Sequence, residues 1–267
     1  MSRRALVTGA SGAFGTALRA ELRARGWQVA GLDLRPDPDD PEVLACDVTD
    51  DDAVPRAVAA AVDRLGGGLD LLVNNAGVGG PASAGEPPGD RVRTQLDVNL
   101  LGAWRVTAAA IDHLVASRGR VVMIASRMSF LGLPLGAAYG VSKRALVAYA
   151  DALRAEYGSH VAVTCVHPAY VRTPIHEPTR EAGLRLEGFS HEEPLERVIA
   201  AIVKAAESPR PPRDLAVTRG GSLQIAVARH LPRVVDRAVA RTLAKRVAAG
   251  DLDDAPVASG LRERHGR

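Results

Sequence analysis

"TGASGAFG", residues 8–15, is the stretch on which the reading of this 267-residue chain turns. It ends a short apolar run, "RALVTG" (4–9), and leads into a segment whose Leu18 and Leu22 share one helical face. A glycine-rich turn between a first strand and a first helix permits a tight reversal and a close backbone approach to a pyrophosphate. It also points helix N–H groups and the positive dipole end at the phosphates. Glycines mark ordinary turns as well, and G-x-x-G-x-x-G is looser than the G-x-G-x-x-G fingerprint. The position at a first strand–helix junction favours the dinucleotide reading. Gly9, Ser11, Gly12, Ala13, Phe14 and Gly15 are then the cofactor-binding turn.

Working outward, apolar strand-like runs alternate with longer helical patterns. Strands are expected at 27–34, 42–48, 69–77, 119–126, 160–168 and 213–220, and helices at 51–65, 90–117, 138–158 and 193–207. The strands lack period-2 alternation, so they read as buried on both faces of a parallel sheet covered by helices. The expectation is an α/β fold: a Rossmann-type, doubly wound, mostly parallel sheet with its sites at the carboxyl ends of the strands. Residues 1–221 read as one dinucleotide-binding and catalytic domain, and 222–267 as a basic amphipathic C-terminal extension.

Composition narrows the function classes. Apolar residues make up 46% and charged residues 24%, ordinary for a globular protein, and no apolar run is long enough to span a bilayer. "MSRRALVTGA" reads as a strand rather than a signal peptide. Cys46 and Cys165 have no metal-ligand spacing, so no metal site is expected, and a reducing, cytoplasmic location is inferred. The net charge of +3 comes from the tail, where Arg229, Arg233, Arg237, Arg241, Lys245 and Arg246 face only Asp236. The body therefore offers no electrostatic footprint for nucleic acid.

The strand ends carry the next candidates. Asp33 ends the second strand, where a carboxylate can bond the adenosine ribose hydroxyls; it would repel a 2′-phosphate. The glycine turn has no Lys or Arg, so NAD is favoured over NADP, with Arg35 the one cation close by. Taken alone, Asp33 could equally be a capping residue beside a proline-rich turn. Asp47 and Val48 end the third strand, where an adenine could rest. "NNAG" (74–77) ends the fourth, and its asparagines can tie neighbouring strand ends together, leaving Asn75, Ala76 and Gly77 beside the cofactor.

"AAYGVSK" (137–143) places Tyr139 and Lys143 one helical turn apart, on one face. A free tyrosine with a pKa near 10 is a poor base at neutral pH, and a nearby cation lowers that value. The pair alone can also be a half-buried tyrosine beside a solvated lysine.

With "TGASGAFG", "DV", "NNAG", "VNLLG", Ser126 and "YGVSK" in this order, residues 4–220 resemble the short-chain dehydrogenase/reductase family. The middle glycine of the turn stands offset from the family's T-G-x-x-x-G-x-G. The resemblance implies a catalytic set: Tyr139 as proton donor or acceptor, Lys143 tuning it and holding the nicotinamide ribose, Ser126 bonding the substrate oxygen, and Asn99 holding a relay water. "HPAYVRTP" (167–174) matches the family's P-G-x-V-x-T-P segment, which places Pro168, Val171 and Thr173 at the nicotinamide, with Ala169 where a glycine is usual. The resemblance further implies a nicotinamide cofactor, a small-molecule alcohol or ketone substrate, and a homodimer or homotetramer.

The loop at 174–192 should cover the substrate, with Ile175, Leu184, Leu186 and Phe189 lining an apolar pocket, Arg127 and Met128 on its border, and His176 and His191 as exposed loop histidines. In 229–247 the basic residues recur every four positions beside an apolar stripe. Packing on the protein itself or on a partner subunit is favoured there over contact with an anionic membrane surface. The leading expectation is an NAD-dependent alcohol dehydrogenase or ketone reductase. The alternative is a non-catalytic dinucleotide sensor or scaffold on the same fold, against which the Tyr–Lys–Ser–Asn set argues.

Overall fold

The computed structural model describes residues 3–184 and 192–265. Seven strands form one parallel sheet: β1 (Arg3–Thr8), β2 (Trp27–Asp33), β3 (Val43–Ala45), β4 (Leu71–Asn74), β5 (Arg120–Ile124), β6 (Ala162–His167) and β7 (Asp214–Ala216). Their order is β3-β2-β1-β4-β5-β6-β7. The order reverses between β1 and β4, and Thr8 and Asn74 end side by side there, Val7 pairing with Val73. A doubly wound sheet offers its binding crevice at such a reversal.

The missing alternation in the strands now has a cause. Successive residues feed two different cores. Leu6, Leu72, Val121 and Met123 join one apolar cluster, whereas Ala5, Val7, Leu71, Val73, Val122 and Ile124 join the other. The first cluster is covered by α2 (Ala53–Arg64), α4 (Ala103–Ser117) and α5 (Ala137–Tyr157), the second by α1 (Ala13–Ala24) and α7 (Leu195–Glu207). The central strand β4 is buried on both faces, so neither needs to be polar.

The helix expected at 90–117 forms with an irregularity. It runs as α3 (Asp90–Leu96), a π turn (Asp97–Gly102) and α4. Such turns recur at functional sites, and this one carries Asn99. The long substrate loop contains the short helix α6 (Glu177–Glu181).

The C-terminal extension departs from expectation. The continuous helix expected over 229–247 is two helices, α8 (Arg219–His230) and α9 (Pro232–Ala248). They break at Leu231, whose φ of −130° and ψ of 55° are not helical. Pro232 causes the break: it has no N–H to donate and disfavours helical backbone in the residue before it. The basic row is thereby divided, with Arg229 on one helix and Arg233 on the next. Leu231 and Val234 are exposed, and along α9 only Leu243 is fully buried. A final helix, α10 (Ser259–His265), ends the described chain.

Candidate active site

The glycine turn is shaped by what would collide. Gly9 has φ +62°, and a Cβ there would lie 2.9 Å from Ala76 Cα. A Cβ on Gly15 would lie 2.1 Å from the Gly9 carbonyl oxygen. Gly12 differs: its φ is −73°, and a Cβ would only touch Gly9 O at 3.4 Å. The offset of the middle glycine therefore falls at the position the fold constrains least. Asn75 Nδ2 donates to Thr8 O at 2.9 Å and to Gly9 O at 3.0 Å, while Thr8 Oγ1 accepts from the N–H groups of Asn75 and Ala76. Those bonds tie β1 to β4, as expected of "NNAG".

Asp33 accepts from the Ser11 N–H and the Arg35 N–H, both at 2.9 Å, and so braces the turn from the end of β2. Gly9, Gly12, Ala13, Phe14, Asp33, Asn75, Ala76 and Gly77 line one side of a cavity of about 370 Å³. Gly15 lies beneath the turn. Asp47 and Val48 do not line this cavity: Asp47 is exposed and caps its own turn through Thr49, and Val48 is packed on Gly102.

The opposite side of the same cavity holds Ser126, Arg127, Met128, Tyr139, Lys143, Pro168, Val171, Thr173, Ile175 and His176. Tyr139 lies in the first turn of α5 and Lys143 in the second. Lys143 is 3% exposed; its Nζ donates to Ile124 O at 2.9 Å and lies 5.8 Å from the Tyr139 ring centre. Burial pushes this ammonium down to about 8. Burial also pushes the Tyr139 phenol up to about 12, with a hydrogen bond from Ser126 opposing it. Desolvation, rather than the expected lowering by Lys143, governs Tyr139, and the amine is held by a carbonyl rather than by the phenol. Asn99 is 1% exposed and stands behind the cavity. Its Oδ1 accepts from Val78 N at 2.8 Å, and its Nδ2 donates to Val78 O and Ser142 Oγ, each at 3.0 Å. Gly77 separates Asn99 from Lys143: a Cβ there would lie 3.2 Å from Asn99 Oδ1 and 3.4 Å from Lys143 Nζ.

With a glycine turn, a strand-end Asp and the Ser–Tyr–Lys group facing one another across the sheet reversal, the comparisons are decisive. A family model described as short chain dehydrogenase matches residues 3–183. The chain belongs to the short-chain dehydrogenase family. These oxidoreductases use a nicotinamide dinucleotide. Over 194 residues the chain is 37% identical to an uncharacterized oxidoreductase of Myxococcus xanthus, covering 65% of this chain and 74% of that one. It is 33% identical to 2-(R)-hydroxypropyl-CoM dehydrogenase of Xanthobacter autotrophicus, over 66% and 77%. A short-chain dehydrogenase from Streptomyces avermitilis superposes with a TM-score of 0.74 at 27% identity, covering 94% of this chain and 99% of that one. One from Burkholderia cenocepacia, solved with NADP, gives 0.76 at 22% identity, over 89% and 97%, and supports the fold.

Several family expectations are refined. Ala169 needs no glycine: among the described residues, only Arg118 and Leu135 are non-glycines with positive φ. His176 is half-buried in the cavity wall rather than exposed, 4.8 Å from the Tyr170 ring. Leu186, Phe189 and His191 lie outside the described residues. Among those described, no cluster could hold a metal ion, and no helix is long and apolar enough to cross a membrane.

Sequence reasoning missed a polar brace behind Ser126. Arg127 (9% exposed) and Glu193 (2%) form a buried ion pair. Glu193 also accepts from Ala169 N at 2.8 Å, and Arg127 reaches Thr218 Oγ1 at 3.2 Å and Gln224 Oε1 at 3.3 Å. Beside it, fully buried His167 lies 3.2 Å from Ser126 O through Nδ1 and 2.8 Å from Asp214 Oδ1 through Nε2. Arg229 donates to the other oxygen of Asp214 at 3.0 Å. Burial would raise the Asp214 carboxyl, but hydrogen bonds from His167 and Arg229 outweigh it and hold it down to about 2. The one available signal was His167 itself, a histidine ending a buried strand.

Proposed function

We propose that this protein interconverts a secondary alcohol and a ketone, with Tyr139, Lys143, Ser126 and Asn99 as its working set and NAD as its preferred cofactor. The observation that carries the reading is the meeting of Ser126, Tyr139 and Lys143 with the glycine turn and Asp33 in a single cavity. The cofactor fits the residues present. Ser11 Oγ is buried without a hydrogen-bond partner in the glycine turn, and an N–H-rich helix start with an acidic strand end suits a phosphate beside a ribose. Asp33, with no basic residue in the turn, argues for a 2′-hydroxyl rather than a 2′-phosphate.

When bound, the nicotinamide supplies or accepts the hydride. Gly9, Ser11, Gly12, Ala13 and Phe14 would hold the pyrophosphate, Asp33 the adenosine ribose, and Asn75, Ala76, Gly77, Pro168, Val171 and Thr173 the nicotinamide half. Ser126 hydrogen-bonds the substrate oxygen and stabilises charge developing there. Tyr139 carries the proton at its hydroxyl to or from that oxygen. With its pKa raised by burial the phenol carries its proton at neutral pH, and the reading requires that pKa to fall toward neutrality for transfer to be efficient. Lys143, at about 8, can exchange a proton in the working range, and Asn99 beside it would seat the water that restores it. The second copy of a homodimer or homotetramer is assigned to the face where Leu101, Trp104 and Val141 are exposed.

A panel of lipophilic ketones and alcohols, followed by NADH fluorescence and repeated with NADPH, tests this reading. Tyr139→Phe should lower turnover by about 10²–10⁴-fold while NADH binding persists. Wild-type turnover by that variant on an accepted substrate would overturn the mechanism.

A further inference from the structure

A second cavity of about 80 Å³ opens beside the first. Both have Met128, Leu133, Tyr139, Ile175 and His176 in their walls, so the smaller one is an annex of the space in front of the tyrosine. Its far wall comes from outside the family core. Leu184, Leu243 and Leu252 close it, and the family match ends at residue 183. These leucines are buried in one cluster with Leu135, Ala255 and Ala258.

Two backbone features press this cluster onto the pocket. Leu135 has φ +60°, which a leucine rarely adopts, and its side chain is buried in the cluster while its carbonyl accepts from Ala82 N at 2.8 Å. Gly183, with φ +75°, lets the tail pass so close that a Cβ would lie 2.5 Å from Asp254 O. The annex lining holds no Asp, Glu, Lys or Arg among the described residues; Thr179, His176 and the tyrosine are its polar side chains.

We propose that the C-terminal segment 243–258 builds a hydrocarbon-binding annex, and that the substrate is a ketone or secondary alcohol with a short unbranched aliphatic arm, which enters past Tyr139 toward Leu252. The substrate class rests on the reading of Tyr139 given above; the annex is a claim about binding. A charged substituent would be stranded there without a partner, whereas each methylene buried leaves water.

The test is calorimetric binding of a 2-alkanol series, from 2-butanol to 2-decanol, to the full chain, with NADH-dependent turnover of the matching 2-alkanones in parallel. Wild-type affinity should rise by about fourfold per methylene and then saturate. Leu252→Trp should flatten the rise while leaving 2-butanol binding unchanged, and Leu243→Ala should move saturation to longer chains. If wild type and Leu252→Trp bind the whole series alike, the annex is wrong. Should the tryptophan variant fail to fold, an unmoved saturation point in Leu243→Ala overturns it instead. Chain-length-dependent binding with no ketone reduced by either NADH or NADPH would keep the annex and retire the ketone-reductase reading.

Discussion

Gly9 and Gly15 shape the cofactor end of the cavity by what they leave out, whereas Arg127 and Glu193 secure the substrate end by pairing groups 66 residues apart. At the first end the governing contacts are backbone against backbone within one turn and the neighbouring strand end. At the second they are side chains delivered by a strand end, a helix start and the C-terminal extension. The difference teaches where each end is vulnerable. The turn fails sterically, wherever an atom is added at Gly9 or Gly15. The brace fails electrostatically, through any removed partner.

The largest effect should come from the turn. Gly15→Ala forces its Cβ against Gly9 O and Ala10 Cα, and should cost on the order of 4–5 kcal/mol in urea unfolding. Gly12→Ala, with room for its methyl, should stay within about 0.5 kcal/mol while weakening NADH binding. Equal losses at both positions would erase the distinction between fold glycine and cofactor glycine.

Next comes the brace. Glu193→Ala leaves the Arg127 guanidinium buried without its carboxylate, and should cost about 3–5 kcal/mol in the same unfolding measurement. A loss below about 1 kcal/mol would mean that water reaches the arginine and the brace is loose.

Asp214 should show a smaller effect than the brace. Its folded pKa of about 2 lies below the unfolded value of about 3.9. It therefore contributes stability, about 2 kcal/mol, that is fully present above about pH 5 and fades as pH falls toward 2. The stability gap between wild type and Asp214→Asn should stay constant above pH 5 and close between pH 4 and 2. A gap that does not change with pH would show that the carboxylate is not held by His167 and Arg229.

The two ends also differ in how readily they are read from sequence. Gly9, Asp33, Asn75, Ser126, Tyr139 and Lys143 could be placed because each stands at a strand end or on a helical face whose position follows from local pattern. Asp47 and Val48 stand beyond the end of β3 rather than on it, because that strand is only three residues long. Glu193, Asp214 and Leu252 carry no local signal. Their meaning depends on which distant residue the fold brings near, and only the packed chain supplies that. The break at Pro232 was legible in principle, since a proline inside a helical pattern marks a helix start.

Arg127 brings a positive charge to the border of the pocket without leaving it free to bind. Its guanidinium points to Glu193, Thr218 and Gln224, so the charge is balanced, shielded from water and fixed in direction. A carboxylate or phosphate on an incoming molecule would find that guanidinium already paired, which leaves Lys143 as the cation of the cavity. The charge that the sequence places next to Ser126 is thus held for the fold, and an anion could use it only by breaking the Arg127–Glu193 pair.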